Sequence, residues 1–205
     1  MANLYRSPAG RLKGEVVSAD SAAGQRKPRK VTAKSLDRSA LFYLERFATS
    51  AENLRRVLMR RVARSAHYHG TDREEGATLI DELVVRYLAA GLLDDRVYAE
   101  GRVRTMRRRG SSARLIHLKL RQKGVADEVI AEVLASLDGD RAEPEVAAAA
   151  ALARRRRLGP FRPPGEREEK HEKDLAALAR VGFSYDVARR VIEAPSPEDL
   201  GDDGV

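Results

Sequence analysis

The 205-residue chain reads as an all-α protein built from three tandem three-helix units, helix-turn-helix-like and set end to end as an elongated array. Three observations predict this. The first is an internal echo: Leu120-Arg121-Gln122-Lys123-Gly124-Val125 leads into Val129-Ile130 and Val133-Leu134. Leu178-Ala179-Arg180-Val181-Gly182-Phe183, 58 positions on, leads into Val187-Ala188 and Val191-Ile192. Each copy reads as a last helical turn, a glycine, an apolar residue and a short amphipathic helix. The second is apolar spacing of i, i+3, i+4 and i+7 along most of the chain, the stripe of a core-facing helix. The third is that no stretch alternates convincingly with the period of two that a half-buried strand requires.

The elements follow in order. Residues 1–35 mix Gly, Ser and Pro with eight Lys/Arg against Glu15 and Asp20, without apolar period, and read as a disordered basic extension. The first unit spans 36–91, with helices near 37–47, 50–65 and 73–90. Thr49-Ser50 opens its second helix, with Thr49 and Glu52 at capping-box spacing, and Leu54, Val57, Leu58 and Val62 form the buried stripe. Ile80, Leu83, Val84, Tyr87 and Leu88 form the stripe of the third helix, which Gly91 stops as a left-handed cap.

The second unit spans 92–142, with helices near 95–109, 112–123 and 127–137. Asp94-Asp95 supplies an N-cap and favourable dipole charge ahead of the Tyr98, Ala99, Val103 and Met106 stripe. Ser111-Ser112 caps the next helix, whose stripe is Ala113, Ile116 and Leu120. Ser50, Leu54 and Leu58 match Ser112, Ile116 and Leu120 at a shift of 62, a second echo. The third unit spans 143–194, with helices near 145–157, 166–181 and 185–194, interrupted by Gly159, Pro160, Pro163, Pro164 and Gly165. From Pro195 to Val205 all charges are acidic, and the stretch reads as a disordered acidic tail. Gly91, Gly124 and Gly182 are the expected structural turns. With four Phe, six Tyr and no Trp, each unit has a thin core and is expected to lean on its neighbour.

Composition narrows the function. The absence of Cys excludes a disulfide frame and a thiolate zinc site, and no apolar run approaches the ~20 residues of a membrane span. A cytoplasmic protein with no membrane association is expected, working as a monomer. No active site is legible. Of His67, His69, His117 and His171, the first two have no His/Asp/Glu pair at i, i+4 to complete a metal site, and His117 sits among Lys119 and Arg121, whose charge disfavours a cation. Glu74-Glu75 and Glu168-Glu169 diverge on helix surfaces, and no phosphate loop or nucleophile elbow occurs. The reading is a non-enzyme without metal or cofactor.

Charge points to binding instead. The net charge is +8, and Arg102 to Lys123 carries nine Lys/Arg and no acid. Such a block draws polyanions and acidic protein surfaces. Arg104 and Arg108 fall opposite the apolar stripe of their helix. Arg114 and Arg121 flank one side of the next apolar face, Lys119 and Lys123 the other. Arg154-Arg155-Arg156-Arg157 follows an alanine-rich run, where the cations fit either a helix C-terminus or a contact surface, and Arg155 and Arg156 join the contact candidates. Base readout needs polar side chains at the start of a reading helix, and Ser111, Ser112, Ala113 and Arg114 offer at most one. Contact with single- or double-stranded DNA would therefore be through phosphates.

The residues Leu93-Asp94-Asp95-Arg96-Val97-Tyr98-Ala99, then Val103, then Ile116-His117-Leu118-Lys119-Leu120-Arg121-Gln122-Lys123-Gly124-Val125 carry a resemblance. They resemble the middle repeat of the RecX family, regulators of the bacterial RecA recombinase. Gly182-Phe183-Ser184-Tyr185-Asp186 is similar to the end of that family's third repeat, and Tyr43-Leu44 with Arg46 and Ser50 to its first. The likeness covers roughly 36–194. It departs at Ser112, Lys119 and Val181, where the family often has Gly, an acid and Arg, and 64–78 and 158–171 look expanded. The resemblance implies an all-helical, curved three-repeat protein that binds the RecA–DNA filament. It implies limits on filament extension, ATP hydrolysis and strand exchange, and so on recombination, repair and the SOS response. The positive charge of 102–123 makes that block the expected filament-facing surface. The alternative is an autonomous DNA-binding helical module without sequence specificity.

Overall fold

Thr32 opens the first of nine α-helices in the described part of the chain, residues 29–139 and 143–201 of a computed structural model. Helices α1 (Ala33–Leu44), α2 (Ala51–His69) and α3 (Arg73–Ala89) enclose a first core of Leu36, Leu54, Leu58, Ile80, Leu83 and Tyr87. Helices α4 (Asp95–Arg108), α5 (Ala113–Gln122) and α6 (Asp127–Asp138) enclose a second, of Val103, Ile116, Leu120, Ile130 and Val133. Helices α7 (Pro144–Arg156), α8 (Pro164–Ala179) and α9 (Tyr185–Ile192) enclose a third, of Leu152, Leu158, Leu178, Phe183 and Val191. No strand occurs among the described residues.

Local chemistry explains the starts and stops. The side chains of Ser50, Asp94, Ser112 and Ser184 each accept the amide proton three residues on, which satisfies a donor that the helix itself leaves open. Gly124 and Gly182 end α5 and α8 at φ of +80° and +93°, a region closed to most side chains. Gly91 ends the first unit in the same way.

Four expectations need correction. The cap of α2 is Ser50; the Thr49 hydroxyl instead accepts a hydrogen bond from Asn53 Nδ2 at 2.7 Å, so Thr49 and Glu52 form no capping box. Leu88 is 44% exposed and leaves the α3 stripe to Ile80, Leu83, Val84 and Tyr87. The stretch read as disordered to residue 35 already contains the Thr32–Ser35 capping box that starts α1, and Val31 packs on the first core. At the acidic end, Glu198–Leu200 forms a 3-10 turn, and Leu200 packs against the third core. A single apolar residue among acids carries no periodicity, so this anchor was invisible in the sequence. The remaining expectations for 1–28, 140–142 and 202–205 lie outside the described residues.

The joint between units is built twice from the same parts. At the first, the Ser50 hydroxyl donates to the Lys123 carbonyl, and the Ala51 amide donates to Asp95 Oδ1 at 2.8 Å. At the second, the Ser112 hydroxyl donates to the Val181 carbonyl at 2.7 Å, and the Ala113 amide donates to Glu145 Oε1 at 2.9 Å. Lys123 and Val181 each directly precede the turn glycine. A Cβ on Gly124 would stand 2.4 Å from Glu52 Cβ, and one on Gly182 would stand 2.9 Å from Ser112 Oγ. Glycine is thus required for close approach as well as for backbone angle.

The two echoes noted in the sequence are the two halves of this joint: the Ser halves are offset by 62, the Gly halves by 58. The corresponding start of α8 has Pro163 at the cap and Pro164 at the first helical position. It offers neither a hydroxyl nor an amide proton there, so the joint's parts stop with the third unit.

Candidate partner-binding surface

Arg107 belongs to the basic block in sequence but not to the surface. It is 7% exposed; its Nε lies 3.2 Å from Asp138 Oδ1, and its Nη2 also donates to Asp138. Its Nη1 donates to Glu145 at 2.5 Å and to the Ser111 carbonyl at 3.2 Å. Burial works against the guanidinium charge, but the hydrogen bonds to Asp138 and Glu145 outweigh it and raise the pKa further above the ordinary arginine value. Glu145 also receives the Ala113 amide, so Arg107 is a part of the second joint.

The other predicted contact residues fall into two groups. Arg104 pairs with Glu100 at 3.4 Å, and Arg121 pairs with Asp127 at 3.8 Å. Lys123 Nζ donates to Asn53 Oδ1 at 3.2 Å across the first joint. Arg108, Arg114, Lys119, Arg155 and Arg156 are exposed and form no salt bridge with a described residue; Arg102 and Arg109, which spacing alone did not single out, share that property. The block without a local acid is thus partly neutralised in space, because α6 and α7 bring Asp127, Asp138 and Glu145 back to it.

The fold gathers part of the set. A Cβ on Gly110 would lie 2.5 Å from the Leu152 amide nitrogen, so the end of α4, carrying Arg108 and Arg109, abuts α7. Arg155 and Arg156 follow Leu152 by three and four positions, one turn further on the same side of α7. Arg114, at the start of α5, lies against the Gly182 turn of this same joint. Lys119 is exposed on α5, Arg121 turns to Asp127 of α6, and Lys123 belongs to the other joint. Arg157 closes α7 in the left-handed conformation at φ +55°. The surface around the second joint is therefore rich in guanidinium groups, able to contact phosphate oxygens or carboxylates.

Sequence reasoning missed a second surface. Phe47, Leu92 and Val97 line an open groove beside α4. The signal available was that Val97 is out of phase with the Ala99, Val103 and Met106 stripe. His117 is 3.3 Å from Asp127, and no group of three metal-ligating side chains occurs among the described residues. None of the described helices is long and apolar enough to cross a membrane.

Comparison with known proteins follows the same lines. The family model described as "RecX, second three-helix domain" matches residues 94–134, the three helices of the second unit. The chain is 45% identical over 172 residues to a "Regulatory protein RecX" of Myxococcus xanthus (strain DK1622), covering 83% of this chain and 91% of that one. It is 32% identical to a protein of the same name from Agrobacterium fabrum (strain C58), covering 78% of this chain and 83% of that one. The crystal structure of RecX from Lactobacillus salivarius superposes with a TM-score of 0.54 at 24% identity, covering 78% of this chain and 94% of that one. That last likeness concerns the fold alone.

Proposed function

The chain belongs to the RecX family of regulatory proteins, and from that premise we propose that it regulates a RecA-type recombinase by binding the filament that the recombinase forms on DNA. Its action is to limit filament extension, ATP hydrolysis and strand exchange, and through them recombination, repair and the SOS response. The regulator works in the cytoplasm as a single chain and needs neither an active site nor a cofactor.

One observation carries this reading. The joint between units repeats its serine–carbonyl bond, Ser50 with Lys123 and Ser112 with Val181, so successive units meet through an equivalent contact. A chain of equivalently joined units presents related faces at regular steps, and a filament of identical protomers is a target with regular steps of its own. The guanidinium groups of Arg108, Arg114, Arg155 and Arg156 then face carboxylates or phosphates of the nucleoprotein, with Lys119, Arg121 and Lys123 extending the contact and Arg104 at its margin.

Titration into a RecA–single-stranded DNA reaction tests the proposal. The expected result is falling ATPase activity and shorter filaments at substoichiometric protein; no effect on either would sink it. The second reading, an autonomous DNA-binding module, rests on those same unpaired cations at the second joint. Gel-shift affinity at near-physiological salt, steep in salt and indifferent to the recombinase, would favour it instead.

A further inference from the structure

Where the first unit meets the second, an open groove of about 470 Å³ runs between the end of α1 and the first turns of α4. Leu44, Phe47, Leu92, Val97 and Tyr98 line it, and Arg102 stands in its wall. Phe47, Leu92 and Val97 are 54%, 53% and 63% exposed, although Leu93, one residue from Leu92, is buried in the first core. Single exposed apolar residues are ordinary, but a cluster lining one concave site marks a contact surface.

Two charged side chains line the groove, Asp94 at the start of α4 and Arg102 about two turns further on. Asp94 accepts the Val97 amide at 2.9 Å as the cap of α4, which holds that carboxylate at the helix start, while Asp95 turns to the Ala51 amide and does not line the groove. Glu45 does not line the groove. Nor does Arg46, whose guanidinium lies 4.0 Å from the centre of the Phe42 ring, so Arg102 is the lining cation, and it forms no salt bridge with a described residue.

The geometry points to a docking site for a protein segment that carries an acidic residue beside apolar ones, its apolar side chains between Phe47, Leu92 and Val97 and its carboxylate on Arg102. A protein rather than a nucleic acid is the better fit. Unpaired bases stack on flat aromatic platforms, whereas this floor is made largely of branched aliphatic side chains. Along α4, Tyr98, Arg102, Thr105 and Arg109 recur at i, i+4, i+7 and i+11, so one helix face leads from the groove to the cations at Gly110. A partner that is protein and polyanion at once engages both ends of that face. The inference rests on the reading of this chain as a regulator of a recombinase filament, and it assigns the groove to the recombinase protomer.

The test uses the full chain and its Val97→Glu and Leu92→Ala variants. Val97 is exposed and occupies the third position of α4, where a glutamate suits the helix start, so the fold is retained; Leu92→Ala serves where the added charge perturbs it. Binding is measured by co-sedimentation with RecA assembled on single-stranded DNA with a non-hydrolysable ATP analogue, and in parallel by anisotropy on the bare DNA. The expected result is a loss of filament affinity of about tenfold for Val97→Glu, with bare-DNA affinity and melting temperature unchanged. Unchanged filament affinity would overturn the groove assignment and leave the regulator reading intact. Equal losses on filament and bare DNA would make the groove a nucleic-acid surface and overturn it too. Failure of the unmodified chain to bind the filament would overturn both readings.

Discussion

The Ser112 hydroxyl donates to the Val181 carbonyl at 2.7 Å, across 69 residues of chain, while it accepts the Leu115 amide proton at 3.1 Å. One side chain thereby starts its own helix and fastens it to the next unit. Replacing Ser112 with Ala removes the cap and leaves the Val181 carbonyl without that partner, an expected loss of about 1–3 kcal/mol in urea denaturation. Ser50→Ala, the equivalent change at the first joint, is expected to behave alike. A loss below about 0.5 kcal/mol in either, the range of ordinary surface substitutions, would contradict the joint.

Gly91 and Gly124 share a left-handed backbone but not their surroundings. A Cβ on Gly91 meets open space, so Gly91→Ala is expected to cost only the conformational penalty of about 1–2 kcal/mol. Gly124→Ala also drives a methyl group onto Glu52 and is expected to lower the melting temperature further. Equal melting temperatures would mean that the joint relaxes freely.

Arg107→Met and Arg108→Met make a matched pair one residue apart. The first strands Asp138 and Glu145 beside an apolar side chain, with an expected cost of about 3–5 kcal/mol. The second alters an exposed residue and is expected to stay within about 0.5 kcal/mol of the unmodified chain. Chemical denaturation of the two variants side by side checks the assignment of Arg107 to the joint.

Asp174 sets an acid limit on the third unit. Burial by itself would raise its pKa, but Arg162, at 2.6 and 2.8 Å, and the Gly159 amide, at 2.9 Å, hold the carboxyl below its ordinary range. A group depressed in the folded state binds fewer protons there than in the unfolded chain. Its stabilisation is therefore present above the unfolded value of about 3.9 and is lost as pH falls through the lower folded value. The stability gap between the unmodified chain and Asp174→Asn should be widest near neutral pH and close below about pH 4. A gap independent of pH would refute the ion-pair role.

Cations with and without acid partners should separate in binding. Arg108→Glu, Arg155→Glu and Arg156→Glu are expected to weaken filament binding, and each lost phosphate contact to reduce the salt slope by roughly 1. Arg104→Glu and Arg121→Glu act on side chains already near Glu100 and Asp127 and are expected to do less. Far-UV dichroism should be unchanged throughout, and an inverted order would reject the surface around the second joint.

Much of the scaffold was legible because its signals are short-ranged. Ile80, Leu83, Val84 and Tyr87 declare a helix by spacing alone, and Ser112 with Leu115, or Asp94 with Val97, closes a cap within three residues. Thr49 and Ser50 are adjacent capping residues, and only the bonds from Asn53, its amide to Ser50 and its side chain to Thr49, distinguish them. The basic surface was read less well. No acid stands between Arg102 and Lys123 in sequence, yet Asp138 and Glu145 reach Arg107 from 31 and 38 residues away. The groove escaped notice because its walls come from residues 44–49 and 91–105, each unremarkable by itself.

The helices, the left-handed glycine turns, the two echoes and the family follow from the chain alone, because helix periodicity, capping and backbone angle are settled among residues a few positions apart. That the Ser echo and the Gly echo are two halves of one joint, which arginines form no salt bridge, and where an apolar groove opens are set by how the helices pack. Those outcomes depend on groups brought together from 31 to 73 residues apart, and packing between helices sets such distances.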